Sequence, residues 1–209
     1  MSDRAIHLAK RMIFIPYALP EGAEARGYAP WLQSVDNPFF NAISGIHHYA
    51  NWTCERVLSG PPPQWDWFDF KAIRDDADLE AVWFNADLDA FRKKWLELWG
   101  YGAAKRADFV RYSYLFELQS SSGVKSSDRA VVSFGSGEAP QGGDLTYRLT
   151  GYLPKHFAGS DDSAAGRDKW LLDDVHPNPL GFDWISVAFS DEIAQDASFS
   201  IAARQVAAP

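Results

Sequence analysis

Hydrophobic and polar positions alternate along most of the chain, and two stretches instead repeat their apolar residues every three or four positions. The β-branched and aromatic run at residues 7–17 ends in a turn-rich segment, which predicts a first strand. Residues 24–43 have helical spacing and predict a helix. Residues 45–57 and 65–73 alternate as strands do, and we interpret the short apolar run at 79–84 as a further strand.

A second helix is predicted at residues 87–99, where the pattern is clearest. Leu88, Phe91 and Trp95 fall on one face of that helix, and lysines fall on the opposite face. Asp87 is the predicted N-cap, because a carboxylate oxygen accepts hydrogen bonds from the free amide groups at a helix start.

The character of the chain changes after residue 108. Short apolar segments between loops rich in glycine, serine, aspartate and proline predict five strands, at 109–119, 129–135, 145–153, 182–189 and 198–206. The order is β-α-β-β-α-β followed by more strands. We therefore predict an α+β fold, with a ferredoxin-like unit over residues 1–120 and a β-rich C-terminal extension over 121–209 packed on it.

Two passages carry a resemblance to a known family. The passage WLQSVDNPFFNAISGIHHY at 31–49 leads from a helix into a strand, and LEAVWFNADLDAFRKKW at 79–95 opens the second helix. Together they resemble the EthD-like branch of the dimeric α/β-barrel superfamily, over about residues 5–120. The chain departs from that pattern at Asp36, where such proteins often carry histidine.

The resemblance implies a homodimer, because each unit presents a sheet whose open face is buried by the partner's sheet. It also implies a pocket between sheet and helices for small, often aromatic molecules, commonly without a cofactor. The superfamily includes monooxygenases, isomerases, lyases and haem enzymes, so the resemblance does not choose the reaction.

Composition narrows the class of protein. The chain has 209 residues, of which 46% are apolar and 15% aromatic, enough for a large core or an aromatic-lined pocket. A net charge of −8 argues against nucleic-acid partners and anionic membrane surfaces. The single cysteine, Cys54, suits a reducing compartment. With no apolar run typical of a signal peptide or membrane span, we expect a cytoplasmic protein.

Four residues are candidates for acid/base catalysis, namely His47, His48, Asp36 and Tyr49. The two histidines are neighbours on a predicted strand, so they point to opposite faces and only one can face a given pocket. A buried imidazole can move a proton near neutral pH, or can simply be a hydrogen-bonded core residue. Asp36 either orients such a histidine, acts as the base itself, or lies at a helix end in solvent.

Candidate substrate-binding residues are Tyr28, Trp31, Trp52, Arg111, Tyr114 and His176. Tyrosine and tryptophan combine an apolar ring with a polar tip that needs a partner when buried. Arg111 either binds a substrate anion or pairs with a structural acid, and His176 lies in a proline-bracketed loop that either closes a pocket or faces solvent. No spacing diagnostic of a metal site is present, so none is predicted.

The function predicted from these observations is cofactor-independent acid/base chemistry, a lyase or isomerase step on a small aromatic or polyketide-like compound. A histidine of the 47–48 pair would move the proton, and Tyr28, Tyr49 or Arg111 would stabilise the oxyanion. Two alternatives remain open: a cofactor-free monooxygenase of a phenolic substrate, and a non-catalytic protein that binds hydrophobic ligands.

Overall fold

The computed structural model describes residues 6, 9–100, 112–123, 126–140, 142–154 and 180–209. Its elements, in chain order, are β1 (Arg11–Tyr17), α1 (Tyr28–Trp31), a π-helical turn (Leu32–Asp36), α2 (Asn37–Ala42), β2 (Ile46–Ser59), β3 (Trp67–Ile73), α3 (Leu79–Trp83), α4 (Ala86–Leu98), β4 (Tyr112–Ser121), β5 (Arg129–Gly135), β6 (Leu145–Pro154), β7 (Trp184–Ala188) and β8 (Phe199–Ala207).

The strands form one closed antiparallel barrel in the order β1-β3-β2-β8-β5-β7-β6-β4, with β4 pairing back onto β1. The first four strands lie in the order β4-β1-β3-β2, and the last four repeat that order as β8-β5-β7-β6. Two seams join these halves, because β2 pairs with β8 and β4 pairs with β6. Closure leaves neither half with an unpaired sheet edge.

Aromatic side chains from both halves fill the barrel interior. Phe14 lies near the centre, and its ring has centroid distances of 5.4–6.3 Å to six other rings: Trp65, Phe68, Phe70, Phe116, Phe134 and Phe182. These rings lie on the inward face of each strand, which explains why apolar residues recur at every second position in both halves. The interior is therefore a packed core that ties the halves together.

Helices cover the outside of β1–β3. Asp78 caps α3 by accepting hydrogen bonds from the amides of Glu80 and Ala81, at 3.0 and 3.4 Å. Asn85 caps α4 by accepting from the Asp87 amide at 2.8 Å. Because β1 and β3 are packed on the barrel side and on the helix side, every residue of β3 is buried. The outer face of these strands therefore packs against the helices in a second core, separate from the barrel interior.

The predicted ferredoxin-like α+β unit in a dimeric α/β barrel is wrong, and so is the fold that the EthD-like resemblance implied. The physical reason is that β5–β8 do not extend the unit but pair with both edges of its sheet and close the barrel within one chain. Homodimerisation stays a prediction. It was based on a sheet with an open face, whereas here the second half of the chain closes that sheet into a barrel. The division at residue 120 also stays a prediction.

Two local predictions are also corrected. Residues 79–84 were expected to form a strand, but Leu79–Trp83 is helical because Asp78 satisfies its first amide groups. The N-cap of the second long helix is Asn85, two residues before the predicted Asp87.

Candidate functional site

The candidate site lies on the outer face of β2 and β3, beneath the helices. In β3, Phe68 and Phe70 point into the barrel, so alternation directs Asp69 and Lys71 outward. The neighbouring strand places Asn51 opposite Asp69 and Tyr49 opposite Lys71. All four outward side chains are buried, which requires each polar atom to find a partner.

Asp36 reaches the same place from the helical layer. It is the last residue of the π-helical turn that precedes Asn37 and Pro38, and it is only 2% exposed. Single π-helical turns inside helices occur frequently at functional sites, since the extra residue redirects a side chain. Here the turn directs a carboxyl group toward the sheet.

Asp36 and Asp69 form a carboxyl pair that the Tyr49 hydroxyl bridges. Tyr49 Oη lies 2.9 Å from Asp36 Oδ2 and 2.8 Å from Asp69 Oδ2. Asn51 Nδ2 donates to Asp36 Oδ2 and to Asp69 Oδ1, both at 2.9 Å. The two carboxyl groups therefore share two hydrogen-bonding neighbours.

Hydrogen counting shows that this pair carries a proton. A phenol has one hydrogen to donate, and an ionised carboxylate has none. Tyr49 can therefore donate to only one of the two carboxyl groups, and the other short oxygen–oxygen contact needs a proton on the carboxyl group itself. The arrangement is a carboxylate and a carboxylic acid joined through a phenol.

Neighbouring asparagines fix the orientation of the bridge. Asn37 Nδ2 donates to the Tyr49 carbonyl at 3.0 Å and to Asn51 Oδ1 at 3.2 Å. Asn41 Oδ1 accepts from the Tyr49 amide at 2.9 Å. Because Asn51 Oδ1 accepts from Asn37, its amide nitrogen is the atom left to face the carboxyl pair. The amides thus hold the acids in place without adding charge.

Burial raises the pKa values of both acids. Loss of hydration, followed by the Asp69 charge, raises the pKa of Asp36 to about 7, against the hydrogen bonds of Asn51 and Tyr49 and the Lys71 charge. Burial also raises the pKa of Asp69 to about 6, opposed by hydrogen bonds from Tyr49 and Asn51 and by Lys71. Both pKa values therefore lie in the range where the pair can hold a proton near neutral pH.

A row of polar ring atoms leads away from the pair toward α4. Tyr17 Oη donates to Asp69 Oδ1 at 3.3 Å, and Tyr28 Oη donates to Tyr17 Oη at 3.1 Å. Trp95 Nε1 donates to Tyr28 Oη at 3.3 Å. Burial raises the pKa of both tyrosines above the ordinary value, so they remain protonated donors.

The carboxyl pair opens into a pocket of about 80 Å³ between the sheet and the helices. Its walls combine the polar network with apolar rings and two cations, and they include Tyr17, Tyr28, Asp36, Phe40, Tyr49, Asp69, Lys71, Trp83, Phe91, Arg92, Trp95 and Ser113. Phe91, Arg92 and Trp95 on α4 are only half-buried. The solvent side of the pocket is therefore formed by α4.

Lys71 supplies positive charge inside this pocket. Its Nζ lies 4.1 Å from the Phe40 ring centroid and 5.1 Å from that of Trp83. Ring faces attract a cation, which offsets part of the cost of burying it. The Lys71 charge also lowers the pKa of both acids, although less than burial raises them.

The structure brings together three of the predicted residues, Asp36, Tyr49 and Tyr28, in the wall of one pocket. Trp31 lies next to it, stacked on Tyr28 at a centroid distance of 6.2 Å. Trp52 belongs to the barrel interior.

The other predicted residues lie elsewhere. Tyr114 is buried in the barrel interior. His48 is buried opposite Ala72, and His47 is half-buried beside a β-bulge; neither lines the pocket. Arg111 and His176 lie outside the described residues.

Sequence reasoning missed Asp69, Lys71, Asn51 and Ser113. One signal was present: Asp69 and Lys71 alternate with phenylalanines in the strand FDFK, and a charge in a strand buried on both faces needs a partner. The partners themselves, Asn51 and Asp36, are far away in sequence and gave no local signal.

Within the described part of the chain, no group of three or more histidine, cysteine, aspartate or glutamate side chains could hold a metal ion. None of the described helices is long and apolar enough to cross a membrane.

A scan against protein-family models and searches of curated proteins and of solved structures find no match for this chain.

Proposed function

We propose that this protein is an enzyme for cofactor-independent acid/base chemistry, a lyase or isomerase acting on a small aromatic or polyketide-like compound. The observation that supports the proposal most strongly is the Tyr49 hydroxyl, 2.9 Å from Asp36 and 2.8 Å from Asp69 in the wall of a pocket. A pair that holds one proton can accept a second from a substrate and return one. Its members thus serve as base and acid in turn.

The raised pKa values support this use. A general base works best when its pKa lies near the working pH, and burial with a like-charged neighbour is how proteins raise a carboxyl group into that range. Asp69, with a pKa of about 6, is the carboxylate that first accepts a proton, and Asp36, with a pKa of about 7, is the acid. Tyr49 lets the proton pass between them.

The pocket also supports a small ring-bearing substrate. Its volume of about 80 Å³ is about half that of a cavity of ~150 Å³ known to hold benzene. A ligand with one ring therefore needs more room than the pocket alone, and the half-buried side chains of α4 are where it would extend. Phe40 and Trp83 line the same pocket as the acids, so its wall gives a ring-bearing ligand apolar contacts.

The proton is assigned to the carboxyl pair and not to a histidine. His47 and His48 were predicted for this role, but neither lines the pocket that contains Asp36. Asp36 was predicted as an alternative base, and its burial and partners support that role.

Proton exchange into a test ketone examines the proposal without knowledge of the natural substrate. Phenylacetone and beta-tetralone are dissolved in deuterium oxide with the protein, and loss of their α-proton signals is followed by NMR. We expect exchange above the buffer rate, and a loss of about 100-fold or more in Asp36→Asn.

Asp76→Asn is the matched control, because Asp76 is an exposed aspartate paired with Arg74. It should exchange both ketones at the wild-type rate. Exchange no faster than buffer in the folded wild type, or an unchanged rate in Asp36→Asn, would contradict the proposal.

The two other predicted functions use the same pocket and are separated by the same assay. A monooxygenase would consume oxygen with a phenolic substrate, whereas α-proton exchange proceeds equally under nitrogen. A binding protein would retain the ketone without exchanging its protons.

A further inference from the structure

Two buried hydrogen-bond donors in the pocket wall have no partner among the described residues. Ser113 Oγ and Trp83 Nε1 are both inaccessible to solvent, and both residues line the pocket that contains the carboxyl pair. Their side chains are at least 98% buried, with Ser113 at 0% exposure and Trp83 at 2%. They come from different elements, β4 and α3.

Such donors are costly unless something accepts from them. A buried donor without an acceptor loses about 1–3 kcal/mol relative to the hydrated state. Two in the wall of the pocket that an acid/base pair also lines indicate that a ligand oxygen accepts from them when the pocket is filled. A tryptophan donor has no acceptor function, so the ligand atom must be an acceptor.

Positive charge accompanies these donors. Lys71 Nζ lies 5.1 Å from the Trp83 ring centroid, and Arg92 Cζ lies 4.4 Å from it. Lys71 and Asp69 are two residues apart on one face of β3, which separates their Cα atoms by about 7 Å. Both side chains line the same pocket, so one substrate can face Lys71 with its oxygen and Asp69 with its reacting carbon.

We propose that Ser113, Trp83 and Lys71 form an oxyanion site, and that the substrate is a neutral, enolisable carbonyl compound. This inference rests on the proposed acid/base function and adds the chemical class of the substrate. The ligand oxygen accepts from Ser113 Oγ and Trp83 Nε1, and Lys71 stabilises the charge that develops on it.

The proton transfer conserves charge within the pocket. The ionised member of the carboxyl pair takes the proton from the carbon next to the carbonyl group. The electron pair of that C–H bond forms a carbon–carbon double bond, and the carbonyl π electrons move onto oxygen. Negative charge thus moves from the acids to the oxygen beside Lys71. Return of a proton to the same carbon regenerates the ketone with its α-proton exchanged, and return to another carbon of a conjugated enolate gives an isomer.

A neutral carbonyl compound fits better than a carboxylate. A ligand that already carries a negative charge would add it beside an acid pair that is itself negative, at a distance where repulsion is strong in a buried site. The neutral ketone generates its negative charge only as the acids lose theirs.

Binding of para-nitrophenolate tests this site without turnover. The anion imitates the enolate, and para-nitroanisole has a similar shape without the charge. Both are titrated into Asp69→Asn, in which a neutral amide stands in for the base after it has taken the substrate proton. We expect para-nitrophenolate to bind at least tenfold more tightly than para-nitroanisole.

Adding Ser113→Ala should weaken phenolate binding by about fivefold to tenfold, and adding Lys71→Met should weaken it by more. Ser120→Ala on β4 and Lys93→Met on α4 are the matched controls, because both side chains are exposed, and they should leave phenolate binding unchanged. Near-ultraviolet circular dichroism confirms folding, and Ser113→Ala alone decides the outcome if Lys71→Met does not fold.

Equal affinities for para-nitrophenolate and para-nitroanisole would overturn the oxyanion site, as would equal effects of Ser113→Ala and Ser120→Ala. Tighter binding of benzoate than of para-nitrophenolate would overturn the neutral-carbonyl class. Failure of the acid/base function would be detected separately, as an unchanged rate of ketone α-proton exchange in Asp36→Asn.

Discussion

The outer faces of the two barrel halves share one strand order but carry opposite chemistry. Each half places its first strand antiparallel to its third, and β1 and β5 both have seven residues, so their outward positions can be matched. The matched cross-strand pairs are Tyr17–Trp67 with Gly135–Trp184, Ile15–Asp69 with Ser133–Ser186, and Ile13–Lys71 with Val131–Ala188. Tryptophan is common to both halves, whereas Asp69 corresponds to Ser186 and Lys71 to Ala188.

The second half satisfies its outer face with small side chains and loop backbone. Ser200 Oγ donates to Ser133 Oγ at 2.9 Å, and the Ala194 amide donates to the same oxygen at 3.2 Å. A Cβ on Gly143 would meet Ser186 Oγ, so the loop lies directly on the strand. Among these described contacts there is no titratable group.

The barrel therefore determines where the outward side chains lie, and the residue type at each position determines their chemistry. At matched places, one face buries acids, phenols and a lysine under helices, and the other buries hydroxyl and methyl groups under loops. Burying charges is costly unless they are used or paired, so their concentration on one face marks that face as functional.

The largest effect is expected from giving the first half the residue of the second. Asp69→Ser introduces at β3 the side chain that β7 carries at Ser186. Loss of the base should slow ketone exchange by about 100-fold to 10,000-fold. Ser186→Ala, at the matched position of the other half, is the control and should leave the exchange rate unchanged. Comparable rates in the wild type and Asp69→Ser would remove the functional distinction between the faces.

A second effect concerns the pH dependence of stability. The folded-state pKa values of about 7 for Asp36 and about 6 for Asp69 exceed the ordinary value of 3.8, so the folded state binds more protons than the unfolded state. The free energy of unfolding should therefore fall by a few kcal/mol as pH rises from about 4 to about 7. The stabilisation is complete below the unfolded pKa and lost above the folded one.

Urea titrations across that pH range measure this slope. In Asp36→Asn it should be shallower, because one of the two groups with a raised pKa is gone. Ser133→Ala, in the other face, should keep the wild-type slope. A wild-type stability that rises over the same range would show that the acids are ionised in the folded protein.

The smallest expected effect compares one substitution in two regions. Tyr49→Phe removes hydrogen bonds to a charged pair and should cost about 2–3 kcal/mol of unfolding free energy near pH 7. Tyr147→Phe, in the barrel interior, removes one 3.4 Å contact to the Ile6 carbonyl and should cost about 0.5–1 kcal/mol. Similar costs would mean that the bridge to the acids is not special.

Local pattern predicted a strand near each of the eight strands of the barrel, together with one at 79–84 that is helical, but it did not predict their pairing. The strand at 129–135 was placed correctly, because Val131, Val132 and Phe134 give it a β-branched and aromatic character. That β8 joins β2 depends on contacts between residues about 150 positions apart, such as Thr53 with Arg204, which no local pattern encodes. Residues 121–209 were therefore predicted as an extension, whereas their strands form half of the barrel wall.

The site likewise contains residues that local sequence predicted and residues that only long-range contacts reveal. Asp36 and Tyr49 were predicted because they stood in a passage that drew attention by its histidines, aromatics and helix end. Asp69 was missed because its significance depends on the register that sets Asn51 opposite it and on the π-helical turn that delivers Asp36. Neither register nor a π-helical turn can be inferred from spacing alone.

The most direct test of the shared proton is a carbon-13 NMR titration of the aspartate carboxyl groups, in the wild type and in Asp36→Asn. We predict that one carboxyl resonance of the wild type titrates with a midpoint near 7, and that it is missing from Asp36→Asn. Midpoints below about 5 for every aspartate would mean that both acids are ionised at neutral pH. The Asp36–Tyr49–Asp69 group would then hold no proton to transfer.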